Sequence, residues 1–142
     1  MTKIVEESFE RVLPKVTDAN RYFWQSGATG QLQLLRCADC GWWLHPASPV
    51  CPKCWSMSVA PQAVSGRGRV HSYTINRYRW VPGFEPPYIV ASVELVEQSG
   101  LRFTSNVIEC PFDEIRCDLE VEVVFANHGE VYLPLFRPVV PS

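Results

Sequence analysis

The sequence lacks a long hydrophobic run, and no stretch of its 142 residues approaches the roughly 18 apolar residues of a membrane helix. The first ten residues carry acids and no apolar run, so we expect no signal peptide. We therefore predict a cytoplasmic protein without a membrane partner, in a compartment where thiols stay reduced. Six cysteines in such a compartment indicate metal binding or plain packing before disulfides.

An excess of positive charge is also absent. Lysine and arginine number 13 against 15 aspartates and glutamates, which gives a net charge of −2. General nucleic-acid binders are usually basic, because phosphate contacts supply most of their affinity. The hydrophobic share of 46% and the charged share of 20% are typical of a folded protein and argue against disorder.

Four of the six cysteines form two CxxC pairs, the strongest signal in the sequence. Cys37 and Cys40 make the first pair, with Gly41 after it, and Cys51 and Cys54 make the second. A CxxC turn brings two sulfurs within reach of one ion, so two such turns complete a tetrahedral four-sulfur shell. That shell leaves no open position for water or substrate, which predicts a structural metal site without metal chemistry.

Zinc is the ion that we expect in this site. Iron in a rubredoxin-like site is the main competing prediction, because a tetrahedral four-sulfur shell suits both metals. Two disulfides are disfavoured by the reducing compartment, and a redox CxxC is disfavoured by the second matching pair. Among the remaining candidates, Cys110 and Cys117 are expected to be packing residues and His128 a solvated turn residue. His45 lies in the cysteine segment and would serve only as a substitute ligand.

The chain divides into three predicted parts. They are an N-terminal helical arm, a zinc ribbon and an OB-fold domain, over residues 1–35, 36–60 and 61–142. The last part carries five predicted strands, over residues 70–78, 88–96, 101–108, 120–125 and 130–136. Five short strands with a brief turn at 111–116 before the fourth match an OB-fold, a partly open barrel, although other small barrels share this count. The predicted fold class is mainly β.

Two helices are expected in the arm. Ile4, Val5, Phe9, Val12 and Leu13 are spaced to line one face of a short helix, which the following proline ends. In the second helix we expect Asp18 as the N-cap and Gly30 as the C-terminal stop. A strand over residues 31–36 then leads into the first CxxC pair.

Aromatic and arginine side chains gather in the predicted loop between the first two barrel strands. They are Arg77, Arg79, Trp80, Phe84 and Tyr88. OB-folds often bind through this loop, and the two arginines share a face if the strand runs that far. Arginine with aromatic rings suits a protein partner, and it also suits a ligand that carries an adenine ring and phosphates. The alternative is that these rings only close the end of the barrel.

Three tryptophans, Trp42, Trp43 and Trp55, crowd the cysteine segment. So small a module cannot hide three indoles. We expect at least one of them, with Trp43 as the candidate, to pack on the N-terminal helices or on a partner.

The order of these features resembles one family. The matching segments are residues 22–24 (YFW), 30–32 (GQL), 36–41 (RCADCG), 49–54 (PVCPKC), 66–74 (GRGRVHSYT), 87–91 (PYIVA) and 120–125 (EVEVVF). They resemble the acyl-CoA-associated OB-fold proteins with a rubredoxin-like zinc ribbon, long catalogued as domain of unknown function 35. The resemblance covers residues 18–138. It departs at Cys117 and Trp55, where members usually or often carry glycine.

The resemblance implies N-terminal helices, a zinc ribbon and a C-terminal OB barrel. It also implies a non-catalytic accessory subunit that stabilises a thiolase-like enzyme or an enoyl-CoA hydratase in a hetero-oligomer, with contact to CoA in some members. Members in bacterial steroid side-chain degradation accompany thiolase-type aldolases, so lipid or steroid metabolism is the implied setting.

Two functions of different classes therefore compete. An accessory subunit of a thiolase-type acyl-CoA enzyme fits the acidic composition, the closed metal shell and the absence of a visible nucleophile–base pair. A single-stranded nucleic-acid-binding OB-fold protein would need a basic groove, and only Arg67, Arg69, Arg77 and Arg79 offer one. A free-standing acyl-CoA enzyme is the third reading, but we expect no catalytic residues in this chain.

Overall fold

The computed structural model describes residues 3–140, so the predicted arm and OB-fold domain begin and end outside the described part, at residues 1 and 142. In chain order its strands are β1 (Ile4–Val5), β2 (Gln33–Cys37), β3 (Trp43–Leu44), β4 (Val59–Ala63), β5 (Arg67–Asn76), β6 (Tyr88–Leu95), β7 (Arg102–Val107), β8 (Glu120–His128) and β9 (Val131–Pro138). A single-turn helix, α1, spans Arg21–Trp24, and a 3₁₀ helix spans Ser26–Thr29. The mainly β class is confirmed, with little helix. Within residues 3–140, no helix has the length and apolar character of a membrane span.

Five of the strands close into a barrel. β5 pairs antiparallel with β6 and β8, β6 pairs with β7, and β8 pairs with β9. The barrel is completed by a parallel contact between β7 and β9, where Val107 faces Phe136. This order of strands is that of an OB-fold, so the predicted barrel is confirmed.

β5 has a bend near its first third, and it pairs with β8 before the bend and with β6 along most of its length. It pairs with β8 through residues 67–69 and with β6 through residues 68–76, and its register shifts between Val70 and Ser72. An extra residue of this kind bends a strand and increases its twist. Near the bend, a Cβ added at Gly68 would lie 2.6 Å from the carbonyl oxygen of Glu94, so the close approach to β6 requires glycine. The observed strand runs from Arg67 to Asn76, so it begins and ends earlier than the predicted strand over residues 70–78.

The cysteine segment forms a second, three-stranded sheet in the order β3, β2, β4. Both partners run antiparallel to β2, and the sequence prediction did not include either of them. β4 contains Pro61, which lacks a backbone N–H, and it lies at the edge of the sheet, where proline is tolerated.

One continuous hydrophobic core joins the helix, the small sheet and the barrel. It contains Phe23 from α1, Leu34 and Trp43 from the small sheet, and inward-facing barrel residues such as Val93 and Phe125. A second cluster forms on the other side of β8, where Val124 and Ala126 are fully buried with Leu135. β8 is therefore covered on both faces.

The N-terminal segment extends the sheet beside β8 and packs on the second cluster, and the prediction of a helix over residues 4–13 is wrong. Ile4 and Val5 instead form β1, which runs parallel to β8 with Ile4 opposite Phe125. Both residues are β-branched and favour strands, and Val5 packs on the second cluster. Val12 is 82% exposed, so the apolar residues at helical spacing have no common buried face.

The second predicted helix is shorter than expected and starts later. Its N-cap is Asn20, and Asp18 instead pairs with Arg21 at 2.6 Å. The Asn20 side chain accepts a hydrogen bond from the Thr17 backbone N–H at 2.7 Å, which fixes the preceding turn. The following 3₁₀ helix ends at Gly30 with a left-handed φ of 76°, as predicted for the C-terminal stop.

A buried ionic network ties the segment after β1 to the barrel. Arg11 donates hydrogen bonds to both carboxylate oxygens of Glu7, at 2.6 and 2.7 Å, and to Asn106 Oδ1 at 3.0 Å. His128 Nε2 lies 2.8 Å from Glu7 Oε1. The side chains of Glu7, Arg11 and His128 are only 8%, 12% and 13% exposed. The prediction that His128 is merely solvated is therefore wrong.

Burial alone would raise the pKa of Glu7. The hydrogen bonds and charges of Arg11 and His128 outweigh that effect, and they hold the pKa of Glu7 below its ordinary value of 4.5. A carboxyl group with a lower pKa in the folded protein stabilises the fold above its unfolded pKa, and this stabilisation is lost as the pH falls through the folded pKa.

We expect Glu7→Gln to destabilise the protein at pH 7 by about 3 kcal/mol, because it leaves Arg11 buried without its counter-charge. The difference from the wild type should shrink as the pH falls below 4.5, since Glu7 itself then becomes neutral. Thermal unfolding followed by circular dichroism from pH 7 to pH 3 measures this difference. Glu6→Gln, at the exposed neighbouring carboxylate, is the matched control. A stability difference that stays constant over this pH range would contradict the assignment.

A candidate four-cysteine metal centre and its surroundings

Two turns of the same geometry carry the four predicted ligands. The first turn joins β2 to β3, and in it the Gly41 backbone N–H donates to the Cys37 carbonyl at 2.9 Å. In the second turn, the Trp55 backbone N–H donates to the Cys51 carbonyl at 2.9 Å. These hydrogen bonds fold each CxxC segment so that its two sulfurs point to the same side.

The four sulfurs of Cys37, Cys40, Cys51 and Cys54 lie within 4.8 Å of one another. Across the two turns, the Cys37–Cys54 and Cys40–Cys51 sulfur pairs are separated by 3.5 and 3.6 Å. A tetrahedral ion with metal–sulfur bonds of about 2.3 Å requires sulfur separations of about 3.8 Å. The donor set therefore fits a tetrahedral metal ion.

The protonation of these thiols shows why a cation suits the cluster. The backbone N–H of Cys40 is the main cause that lowers the pKa of Cys37 to about 6. For Cys54, the backbone N–H of Ser56 acts in the same direction, but desolvation and the three neighbouring sulfurs outweigh it and raise the pKa to about 12. Four thiolates repel one another at these separations, and a divalent cation removes that repulsion.

The cluster has a buried side and an exposed side. Cys37 and Cys51 are buried, at 1% and 0% exposure, whereas Cys40 and Cys54 are exposed. The side chain of His45 is not part of the group of ligands and lies among aromatic rings, 4.7 Å from Phe23. The candidate metal site thus comprises four cysteines, with one flank against the protein core.

Trp43 links the ribbon to the barrel. Its indole is 6% exposed and belongs to the main core, with the Arg36 guanidinium 4.7 Å from the ring. Its backbone N–H donates to Gln98 Oε1 and its carbonyl accepts from Gln98 Nε2, both at 2.9 Å. Since Gln98 lies in the turn after β6, the paired hydrogen bonds fix the ribbon to the barrel. So deeply buried an indole offers little surface to a partner.

The other two indoles of the segment lie nearer to solvent. Trp42 is half-buried beneath Lys53, whose Nζ is 4.4 Å from the ring centre. Trp55 is 81% exposed.

The loop between β5 and β6 holds its aromatic residues in two separate groups. Phe84 stacks on Tyr88 at 4.1 Å, and on its other side it meets Phe9 at 5.0 Å and the Arg11 guanidinium at 4.6 Å. These half-buried rings anchor the loop to the N-terminal segment. The sequence prediction did not include Phe9 and Arg11 in this group, because their contact with residue 84 spans more than 70 residues.

The second group projects into solvent. Tyr78 and Trp80 are 64% and 71% exposed, and their rings lie 4.6 Å apart. Asn76 holds the pair in place, because its Oδ1 accepts the Trp80 indole N–H at 2.9 Å and its Nδ2 donates to the Tyr78 carbonyl at 2.6 Å. Arg77 is exposed, and Arg79 pairs with Glu85. Because β5 ends at Asn76, Arg77 and Arg79 do not share a strand face.

A cavity of about 620 Å³ lies between α1, the ribbon and strands β7 and β9. Tyr22, Phe23, Trp24 and Phe103 line it together with His45, whose Nδ1 is buried without a hydrogen-bond partner among the described residues. Burial lowers the pKa of His45, so its ring is neutral at pH 7. The sequence prediction gave this histidine no such position, since the surrounding rings come from distant segments.

The two remaining cysteines are not arranged as nucleophiles. Desolvation raises the pKa of Cys110, and its sulfur donates to the Pro111 carbonyl at 3.4 Å. Cys117 is exposed. In the turn before β8 the left-handed residue is Asp118, with a φ of 68°, so Cys117 occupies a position that does not require glycine.

Comparison with known protein families identifies both modules. Residues 24–59 match the family described as "ChsH2, rubredoxin-like zinc ribbon domain". Residues 61–126 match the family described as "ChsH2, C-terminal OB-fold domain".

Curated relatives carry names from acyl-CoA metabolism and from scaffolding. A probable enoyl-CoA hydratase alpha subunit of Thermomonospora curvata is 34% identical over 133 residues, which are 93% of this chain and 41% of that protein. The chain therefore spans about two fifths of this relative's length. A DUF35 domain-containing scaffold protein of Methanothermobacter thermautotrophicus is 38% identical over 100 residues, which are 67% of this chain and 71% of that protein.

A solved structure matches over nearly the whole fold. The Ltp2-ChsH2(DUF35) aldolase contains a chain that is 32% identical and superposes with a TM-score of 0.80. The match covers 90% of this chain and all of the other one.

We expect Cys37→Ala to abolish metal retention and to unfold the ribbon, because three sulfurs leave the tetrahedral shell incomplete. Elemental analysis should show less than one ion per chain, and limited proteolysis should cut first between residues 33 and 63. Cys117→Ala, which removes an exposed thiol outside the cluster, is the control and should leave both measurements unchanged. A Cys37→Ala protein with full metal content would disprove the ligand assignment.

Proposed function

This chain belongs to the DUF35 family, and from that premise we propose that it is a non-catalytic accessory subunit that binds and stabilises a thiolase-type acyl-CoA enzyme. The observation that carries the proposal is the match of 90% of this chain to a whole chain of the Ltp2-ChsH2(DUF35) aldolase. The hydratase-subunit and scaffold names of the curated relatives support the same role. The partner is a thiolase or an aldolase in a hetero-oligomer, with lipid or steroid side-chain degradation as the setting.

The chemistry of this chain supports a role without catalysis. A four-sulfur shell uses every position of a tetrahedral ion, so a metal held there has no site for substrate. A catalytic thiol needs a nearby base, and within residues 3–140 no cysteine sulfur is hydrogen-bonded to a histidine. A site of four metal-binding thiolates requires reduced cysteines, which agrees with a cytosolic location.

The metal in our proposal is zinc, and its role is structural. It would hold β2, β3 and the second CxxC turn together, in a segment too small to fold on apolar burial alone. We also retain the division into an arm, a ribbon and a barrel, at residues 1–35, 36–60 and 61–142.

Elemental analysis of the purified protein should find one zinc ion per chain, with no visible absorption beyond the protein bands. Iron bound by four thiolates would instead give a red protein with charge-transfer bands. That spectrum would overturn zinc while leaving the role of the four cysteines intact.

Arg77, Arg79 and Trp80 are the exposed part of our candidate surface for the partner, and Phe84 and Tyr88 support the loop from behind. Tryptophan and arginine are the residues that most often dominate binding energy at protein interfaces. Trp80 is preorganised by Asn76, which reduces the entropy lost on binding. The two arginines also suit the phosphates of CoA, so the complex is a candidate for direct CoA contact.

We expect the tagged protein, purified from its native cells, to bring down one acyl-CoA enzyme in a fixed ratio. Trp80→Ala should weaken that complex by about 2 kcal/mol or more, measured by calorimetry with the separated subunits. Val12→Ala, at an equally exposed apolar residue outside the loop, is the control. Turnover of acyl-CoA by the isolated chain would refute the non-catalytic role.

The same preparation tests the competing nucleic-acid function. A labelled single-stranded oligonucleotide should show no tight binding by fluorescence anisotropy. Submicromolar affinity that falls steeply with salt would favour the nucleic-acid-binding alternative over our proposal.

A further inference from the structure

Trp55 combines two unfavourable features, a strained backbone and an exposed indole. Its φ is 69°, in the left-handed region that residues with a side chain rarely adopt. Its side chain is 81% exposed, which is unusual for the largest apolar residue. Neither feature contributes to the stability of the isolated chain.

The first CxxC turn shows which residue this position requires. Gly41 follows the first CxxC pair as Trp55 follows the second, and both make the same 2.9 Å hydrogen bond back to the first cysteine. Gly41 has a φ of 79°, close to that of Trp55. The turn therefore requires a left-handed residue, and glycine is the residue that adopts this conformation without steric cost.

Nothing within the described part of the chain compensates for the indole. No ring stacking, cation–π contact or side-chain hydrogen bond involves Trp55 among residues 3–140. Its neighbours, in contrast, are fixed, because the Cys51 backbone N–H donates to the Ser56 carbonyl at 2.8 Å and the Ser56 hydroxyl bonds Asp39. A rigid turn thus presents a large apolar side chain to solvent.

We propose that Trp55 is a binding anchor whose indole enters an apolar pocket on the acyl-CoA enzyme subunit. This inference rests on the accessory-subunit function proposed above and adds a second contact, on the metal ribbon. The pocket must fit an indole and carry an acceptor for its N–H, because a buried indole N–H is costly without one. Met57, 78% exposed two residues further on, adds an adaptable apolar contact beside it.

A protein partner fits this tip of the ribbon better than a lipid surface does. Peripheral membrane binding needs a broad apolar face and a cluster of basic residues. The tip has two exposed apolar side chains, one lysine, Lys53, and an acidic residue, Asp39, beside Ser56. A single indole carried by a rigid turn is instead typical of a hot spot in a protein interface.

Two substitutions separate the indole from the backbone strain. Trp55→Ala removes the indole and keeps a left-handed residue with a Cβ, whereas Trp55→Gly removes both. The glycine variant should therefore retain its metal against a chelator several-fold better than the alanine variant. Gly41→Ala is the reciprocal control and should retain metal less well than the wild type. Its new Cβ would have the Arg36 guanidinium as its nearest neighbour, at 3.6 Å, so backbone strain is the only cost.

Binding is measured by calorimetry against the acyl-CoA enzyme subunit that co-purifies with the wild type, purified separately. Both Trp55 variants should lose at least about thirtyfold in affinity, as expected for an interface hot spot. Because the glycine variant has the sounder ribbon, an equal loss in both variants assigns the effect to the indole. Val96→Ala, at an exposed apolar residue elsewhere, should bind like the wild type.

Each other outcome overturns the inference. Wild-type affinity in Trp55→Gly removes the anchor and leaves the accessory-subunit function standing. Failure of the wild type to form any complex removes both. Wild-type self-association, or binding to anionic phospholipid vesicles, that is lost in Trp55→Gly while enzyme binding remains would assign the indole to a different partner.

Discussion

The convergence of four sulfurs on one point is the constraint on which the rest of this structure depends. Each CxxC turn is closed by its own backbone hydrogen bonds, and the two turns are joined by the pairing of β2 with β4 and by the Ser56–Asp39 hydrogen bond. An ion bound by all four thiolates would add a direct link between the two turns, on the flank of the ribbon from which Trp43 enters the main core. The paired hydrogen bonds between the Trp43 backbone and Gln98 then fix the orientation of the ribbon on the barrel. In our proposal the metal therefore fixes the position of surfaces, because a shell of four thiolates would leave it no open site for chemistry.

The N-terminal segment orients a second surface in a comparable way. β1 adds to the barrel beside β8, and the Glu7–Arg11–His128 network holds the chain that follows. From there, Phe9 and Arg11 pack on Phe84, which supports the loop that presents Trp80. The exposed loop is therefore braced by residues that lie more than 70 positions earlier in the chain. The Trp80 indole is held by Asn76, and the backbone of Trp55 is held by its turn, so part of the ordering is already present before a partner binds.

Local patterns in the sequence were sufficient for the cysteine turns and the barrel strands. CxxC spacing acts within four residues. Alternation identified β6 and the start of β8, where buried and less buried residues follow one another, although further along β8 both faces are buried. The predicted helix over residues 4–13 failed because pairing of Ile4 with Phe125 outweighs local helical spacing. His128 was misjudged for the same reason, since its partner Glu7 lies 121 residues away. The short strands β3 and β4 were missed because each is recognisable only from its pairing with β2.

The residues that the isolated fold explains least are the most informative about function. Phe125 and Trp43 are buried, and their identity follows from packing in this chain alone. Trp55 and Trp80 gain little from this fold, and Trp55 opposes it through its left-handed backbone. Strain of this kind persists only where the surrounding structure enforces it or where function requires it. The metal turn enforces the left-handed conformation, but it does not require an indole, because Gly41 meets the same demand without one. We therefore attribute the side chain of Trp55 to the contact that we propose outside this chain.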